Sequence, residues 1–265
     1  MGLAFDGQSA IAQLGLDSFW QSLVNSGQLD SPEMSFRLRR SASSSDVDGG
    51  EFTLGGTNPS LYTGDIEFTD LVDQSVLSSW LLSLGGVFPF CFLTDDCVIN
   101  GVWKGVTVQG QNVAVASGFS AVSVIDTGSN LIGGPSADVA AIYAAIPGSQ
   151  SIGDGLYSFR KPLCPNFNFY RTLNADANEA CTTNVSIALR FGSKWWPINP
   201  PDMNLGLVNS GSSDCVGGIF DLAAGSDIPV GPGYPGWVMG GTFLKNVYSV
   251  FRAKPASIGF AAPSP

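Results

Sequence analysis

The chain has 265 residues, 12 basic against 22 acidic side chains, five cysteines and no histidine. Without imidazole, a Ser-His-Asp or Cys-His nucleophile, a His-ligated zinc and a His general base are excluded, which leaves carboxylates as the acid–base groups. A net charge of −10, with the few Lys and Arg scattered, argues against partners that need a basic patch, namely nucleic acid or an anionic membrane surface.

With 44% hydrophobic residues, 33 Gly and 16 Pro, the chain can bury a sizeable core but is punctuated too often for long helices. A mainly β protein of one large or two smaller domains is expected. No stretch approaches the roughly 20 apolar residues of a spanning helix. The longest candidate, residues 87–93, is broken by Pro89. The amino terminus lacks a basic region followed by an apolar run, so no signal peptide is expected.

Residues 17–27 read as a short helix: Asp17 caps it, Phe19, Trp20, Leu23 and Val24 form a core face, and Gly27 ends it. Strands are expected from Met34 onward. Residues 51–56 and 62–68 alternate apolar and polar at period two, separated by a turn-rich segment, while 41–50 reads as a solvated loop. Val106-Thr107-Val108 and Val113-Ala114-Val115 suggest a hairpin around residues 109–112. The apolar run 121–125 suits a buried strand and leads directly into Asp126-Thr127-Gly128-Ser129. Ser136 is placed to cap a helix whose apolar face is Val139, Ile142, Tyr143 and Ile146, stopped by Pro147-Gly148. Further strands are expected at 185–191, 216–220, 237–240 and 247–251.

A buried strand ending in Asp-Thr-Gly-Ser sets a carboxylate at the edge of the core, beside a hydroxyl that bonds neighbouring backbone and a glycine that admits another main chain closely. The same tetrapeptide also suits an ordinary turn after a strand. Its surroundings decide between the two. Leu131-Ile132-Gly133-Gly134-Pro135 and a helix follow it, and Trp237-Val238-Met239-Gly240-Gly241-Thr242-Phe243-Leu244 stands downstream. Upstream lie Met1-Gly2-Leu3-Ala4-Phe5 and Leu54-Gly55-Gly56-Thr57-Asn58 with Leu61-Tyr62-Thr63-Gly64. In this order the landmarks resemble the pepsin-like aspartic endopeptidases, most closely the secreted enzymes of basidiomycete fungi.

The resemblance implies a pepsin-like acid protease fold with a complete second lobe, residues 62–265, and a remnant of the first lobe with the inter-lobe crossover, residues 1–61. It implies Asp126 as a catalytic carboxylate, with Thr127, Gly128 and Ser129 contacting substrate, while Val238 and Met239 read either as further substrate contacts or as core strand. It also implies a disulfide between Cys181 and Cys215, a peptide or protein substrate with apolar side chains beside the cleaved bond, no metal or organic cofactor, and an extracellular or vacuolar location. Asn184-Val185-Ser186 is a glycosylation sequon.

In that family two Asp loops face each other and share a proton, because like charges a few ångströms apart cannot both ionise. One such loop is present here. The chain is therefore expected not to hydrolyse peptides as written, and the missing first lobe is its natural partner. Two alternatives stay open: a non-catalytic peptide-binding or inhibitory module, and a homodimeric protease. Two stretches, near 85–104 and 160–180, look inserted relative to the family and contain Cys91, Cys97 and Cys164. They read either as translated introns or as genuine surface loops.

Overall fold

The computed structural model describes residues 3–10, 12–40, 49–72, 79–85, 105–160 and 185–265. The two expected insertions fall almost wholly outside the described residues, as do Cys91, Cys97, Cys164, Cys181 and Asn184.

Helix α1 (Phe19–Ser26) buries Trp20 completely, while Phe19, expected in the core, stays exposed. Its cap is Ser18 rather than Asp17. The Ser18 hydroxyl accepts the Gln21 N–H at 3.3 Å, whereas the Asp17 carboxylate is engaged by Asn25 Nδ2 at 2.8 Å. Gly27 closes the helix in the left-handed region, φ 66°, as the sequence predicts. Strands β1 (Glu33–Leu38), β2 (Gly50–Leu54), β3 (Tyr62–Asp70) and β4 (Leu81–Ser83) follow.

The hairpin β5 (Val106–Val108) and β6 (Gln111–Val113) turns through two residues, Gln109 and Gly110, with φ 51° and 75°. Two positive φ values match the twist of a tight antiparallel pair, so β6 starts two residues earlier than apolar spacing suggests. Strands β7 (Val122–Ile125) and β8 (Ile132–Gly134) bracket the loop carrying Asp126. Helix α2 (Ser136–Ala144) buries Val139, Ile142 and Tyr143 as expected. Ser136 is its first residue and not its cap, because the hydroxyl is committed to Asp221 Oδ1 at 2.8 Å.

Strands β9 (Gln150–Gly153), β10 (Leu156–Arg160), β11 (Ile187–Phe191), β12 (Lys194–Ile198) and β13 (Asn204–Leu207) come next. The single strand expected at 216–220 is two, β14 (Asp214–Gly217) and β15 (Ile219–Asp221), which part at Gly218 and enter different sheets. The remaining elements are α3 (Leu222–Gly225), β16 (Trp237–Met239), α4 (Gly241–Leu244), β17 (Tyr248–Ala253) and β18 (Ala256–Pro263).

The strands form an antiparallel sheet in the order β2-β1-β17-β18-β3, two four-stranded sheets, β13-β14-β10-β9 and β12-β11-β5-β6, and a mixed sheet, β15-β8-β16-β7-β4. The architecture is mainly β, as the sequence predicts. The boundary expected between residues 61 and 62 runs between strands of the first sheet, where β1 from the earlier part pairs with β17 from the later one. Period-two alternation in β17 sends Phe251 into the main core and Tyr248 and Val250 to the other face, where Tyr62 and Phe68 pack. At the centre of the main core, Phe191, Phe243 and Phe260 meet with ring centroids 5.3 to 5.6 Å apart.

Candidate active site

Strand β7 lies between β16, its parallel neighbour, and β4. Its last ladder bonds fix where the chain leaves the sheet: Ile125 N–H donates to Trp80 O at 2.9 Å and Asp126 N–H to Met239 O at 3.1 Å. Beyond them the chain turns back on Asp126. Gly128 N–H donates to Oδ1 at 2.8 Å, the Ser129 hydroxyl to Oδ2 at 2.7 Å, and Ser129 N–H to the Asp126 carbonyl at 3.3 Å. The carboxylate is thereby oriented by one donor on each oxygen, and its remaining lone pairs are open to a further donor such as water or an amide.

The carboxylate borders a groove of about 550 Å³. Asp126, Thr127 and Gly128 form one wall, and Leu3, Met34, Phe36, Trp80 and Phe251 contribute apolar lining. Among the described residues Asp126 is the only ionisable side chain lining it. Trp80 holds the apolar side together: its indole N–H donates to Leu3 O at 3.0 Å, and its ring lies 4.3 Å from Phe5 and 5.2 Å from Phe251, centroid to centroid. Trp80, Met34 and Phe251 carry no motif, so sequence reading did not place them at the site. Met34 and Phe251 are apolar residues of paired strands β1 and β17, and Trp80 immediately precedes β4.

Beneath the loop, three successive carbonyls are each held by an amide from the start of α4. Gly241 N–H donates to Ser129 O at 2.8 Å, Thr242 N–H to Asn130 O at 2.8 Å, and Gly240 N–H to Leu131 O at 3.1 Å. Only glycine permits this approach at position 240, since a Cβ there would stand 2.5 Å from both Ser129 O and Leu131 O.

The structure brings Asp126, Thr127, Gly128 and Ser129 together as expected from one loop. Val238 and Met239 lie in β16 between β7 and β8, 7% and 0% exposed, and are not among the residues that line the groove. Cys215 is buried and disulfide-bonded. Its expected partner Cys181, and the sequon residue Asn184, lie outside the described residues. Another carboxylate, Asp138 on α2, is buried with both oxygens on the Ala116 N–H, at 3.0 and 3.1 Å. Burial pushes its carboxyl above the usual range, and the amide opposes this only in part.

Among the described residues no group of His, Cys, Asp and Glu is placed to hold a metal ion, and no helix is long and apolar enough to cross a membrane. A model of the family described as Eukaryotic aspartyl protease matches residues 1–263. The chain is 33% identical to Major aspartyl peptidase 1 of Cryptococcus neoformans and 35% identical to an aspartic protease of Phaffia rhodozyma. These matches cover 98% of this chain and 46% and 51% of the relatives. Human cathepsin D is 25% identical, over 91% of this chain and 47% of its own length. The chain thus spans about half the length of the curated relatives it matches. With an Asp-Thr-Gly-Ser loop bordering its groove and a family match running almost end to end, the chain belongs to the eukaryotic aspartyl protease family.

Proposed function

We propose that this chain carries the second-lobe half of an aspartic endopeptidase active site, that Asp126 is one of its two catalytic carboxylates, and that these 265 residues alone do not hydrolyse peptides. One observation carries the reading: Asp126 is oriented by Gly128 and Ser129 toward an apolar groove in which, among the described residues, no second carboxylate stands. In a paired site one carboxylate takes a proton from the attacking water while its protonated neighbour donates to the scissile carbonyl, and the roles then exchange. Asp126 supplies the first function or the second, but cannot supply both at once.

The natural partner is a first lobe bearing its own Asp loop. The substrate is a peptide whose apolar side chains match a groove lined by Met34, Phe36, Trp80 and Phe251. The Cys181–Cys215 bridge, glycosylation at Asn184 and an extracellular or vacuolar location complete the proposal. The disulfide at Cys215 supports the bridge.

The test is incubation of the purified chain with a denatured protein at acidic pH, with and without a hydroxyl-bearing transition-state inhibitor, while its mass is followed by light scattering. No inhibitor-sensitive cleavage is expected from the chain alone. Adding a purified first lobe that contains an Asp-Thr-Gly loop should restore cleavage, and Asp126→Asn should abolish it again. Inhibitor-sensitive cleavage by the chain alone overturns the reading, and a dimeric mass in that case would favour a homodimeric enzyme.

A further inference from the structure

The turn that supports the Asp126 loop is too short to hold its own shape. Helix α4 is four residues long, and a single helical turn is unstable without tertiary partners. Besides Phe243 in the core, a polar partner is the side chain of Asn246. Asn246 Oδ1 accepts Arg40 Nη2 at 2.7 Å and Asn199 N–H at 2.9 Å, while Asn246 Nδ2 donates to Thr242 O at 2.9 Å. Two donors facing Oδ1 fix the orientation of the amide, because the reversed form would set its NH2 group against both of them. Thr242 in turn gives its N–H and its hydroxyl to Asn130 O, at 2.8 and 3.3 Å.

On its other side Arg40 grips Asp202. Nε lies 3.0 and 2.9 Å from the two carboxylate oxygens and Nη2 lies 2.6 Å from Oδ2. The Asp202 side chain is 4% exposed, so this carboxylate has exchanged water for the guanidinium. A continuous polar path therefore runs from Arg40, just beyond β1, through Asn246 and Thr242 to Asn130, four residues past Asp126.

We infer that, given the reading of Asp126 as a catalytic carboxylate, Asn246 braced by the Arg40–Asp202 pair is a positioning residue for the Asp126 loop. It couples the segment after β1 to the geometry of the site without touching substrate.

Asn246→Asp separates this role from general packing. It retains an acceptor for Arg40 and Asn199 but loses the donor to Thr242 O. Arg40→Lys keeps the charge and loses the planar fork. The measurement is amide hydrogen exchange by NMR on the full chain, together with the resonance of the Asp126 carboxyl carbon at one fixed pH. In Asn246→Asp the Gly241 and Thr242 amides should exchange about tenfold faster, as expected of a local opening, and the Asp126 carbon and Gly128 amide should shift. Amides of β17 and β18 should hold their wild-type rates. Arg40→Lys should give the same pattern at smaller amplitude.

Wild-type rates at Gly241 and Thr242 with an unmoved Asp126 signal would overturn the inference. So would a uniform acceleration across all sheets, the mark of a purely structural role. Should Asn246→Asp fail to fold, the same two readouts on Arg40→Lys decide the matter. Neither depends on peptide cleavage, so a catalytically silent Asp126 would leave this result standing.

Discussion

Asn58 donates its backbone N–H to the hydroxyl of Tyr248 over 2.8 Å, tying the segment between β2 and β3 to β17, the middle strand of the five-stranded antiparallel sheet. The Ser35 hydroxyl donates to Gly56 O at 2.9 Å, so the 2.7 Å contact between Tyr248 and Ser35 is a donation from the phenol. Every hydrogen in this buried set is committed. Tyr248→Phe keeps the stacking on Tyr62, whose ring lies 4.8 Å away, but leaves the Asn58 amide without its acceptor. A loss of about 1–3 kcal/mol is expected in urea unfolding with an unchanged m-value. A change below about 0.5 kcal/mol, the scatter of neutral surface substitutions, would show that water replaces the phenol.

Asp138 gives the fold a pH dependence of definite sign. Burial raises its folded carboxyl above the unfolded value, so its stabilising contribution is complete below the unfolded value. That contribution is lost as pH climbs through the folded one. Melting temperature measured from acid to neutral pH should therefore fall more steeply for the wild type than for Asp138→Asn, which keeps an oxygen for Ala116 N–H and cannot ionise. Each kcal/mol of difference corresponds to about 2–4 °C for a chain near this size. Parallel curves would mean that the carboxyl ionises in the fold without penalty.

Gly240→Ala tests the main-chain seam under the Asp126 loop. Both obstructing atoms are backbone oxygens, so no side chain can swing aside to admit the new methyl. A loss of about 2–4 kcal/mol in chemical denaturation is expected, with the exchange of the Thr242 amide rising more than that of β18. Gly128→Ala should be far milder, since its Cβ would meet only the Asp126 carboxylate, at 3.2 Å.

Trp80→Ala removes the ring shared by Phe5 and Phe251 and frees the Leu3 carbonyl. About 3–5 kcal/mol should be lost, and binding of an apolar fluorescent dye should increase as the groove widens. Trp80→Phe should recover most of the loss. Equal damage from both substitutions would assign the effect to the indole N–H instead of to packing.

The sequence made the loop of Asp126 legible because a buried apolar strand ran without interruption into a tetrapeptide with one donor for each carboxylate oxygen. The positions of α1 and α2 and the closing Gly27 were legible too, but the two N-caps and the short α3 and α4 were not. Asp17 and Ser136 both have the right chemistry, yet each side chain was drawn to a distant partner, Asn25 in one case and Asp221 in the other. Strand β12 went unread because Pro197 interrupts an aromatic run. The edge position of β12 explains how a residue without an N–H is tolerated there. Val238 and Met239 read from the sequence either as cleft residues or as core strand, and pairing with both β7 and β8 sets them in the middle strand of the mixed sheet. Arg40 and Asn246 are 206 positions apart, and no local pattern predicts their contact.

The seam between residues 129–131 and 240–242 is made almost entirely by peptide groups, with the Thr242 hydroxyl as the one side-chain addition. Residue identity on either side is therefore freer to drift during evolution than spacing or the absence of a Cβ at 240. A chimaera with a related enzyme should tolerate crossovers in the strands, but it must inherit both stretches from the same parent. Transplanting one alone would seat a foreign curvature on a native ledge.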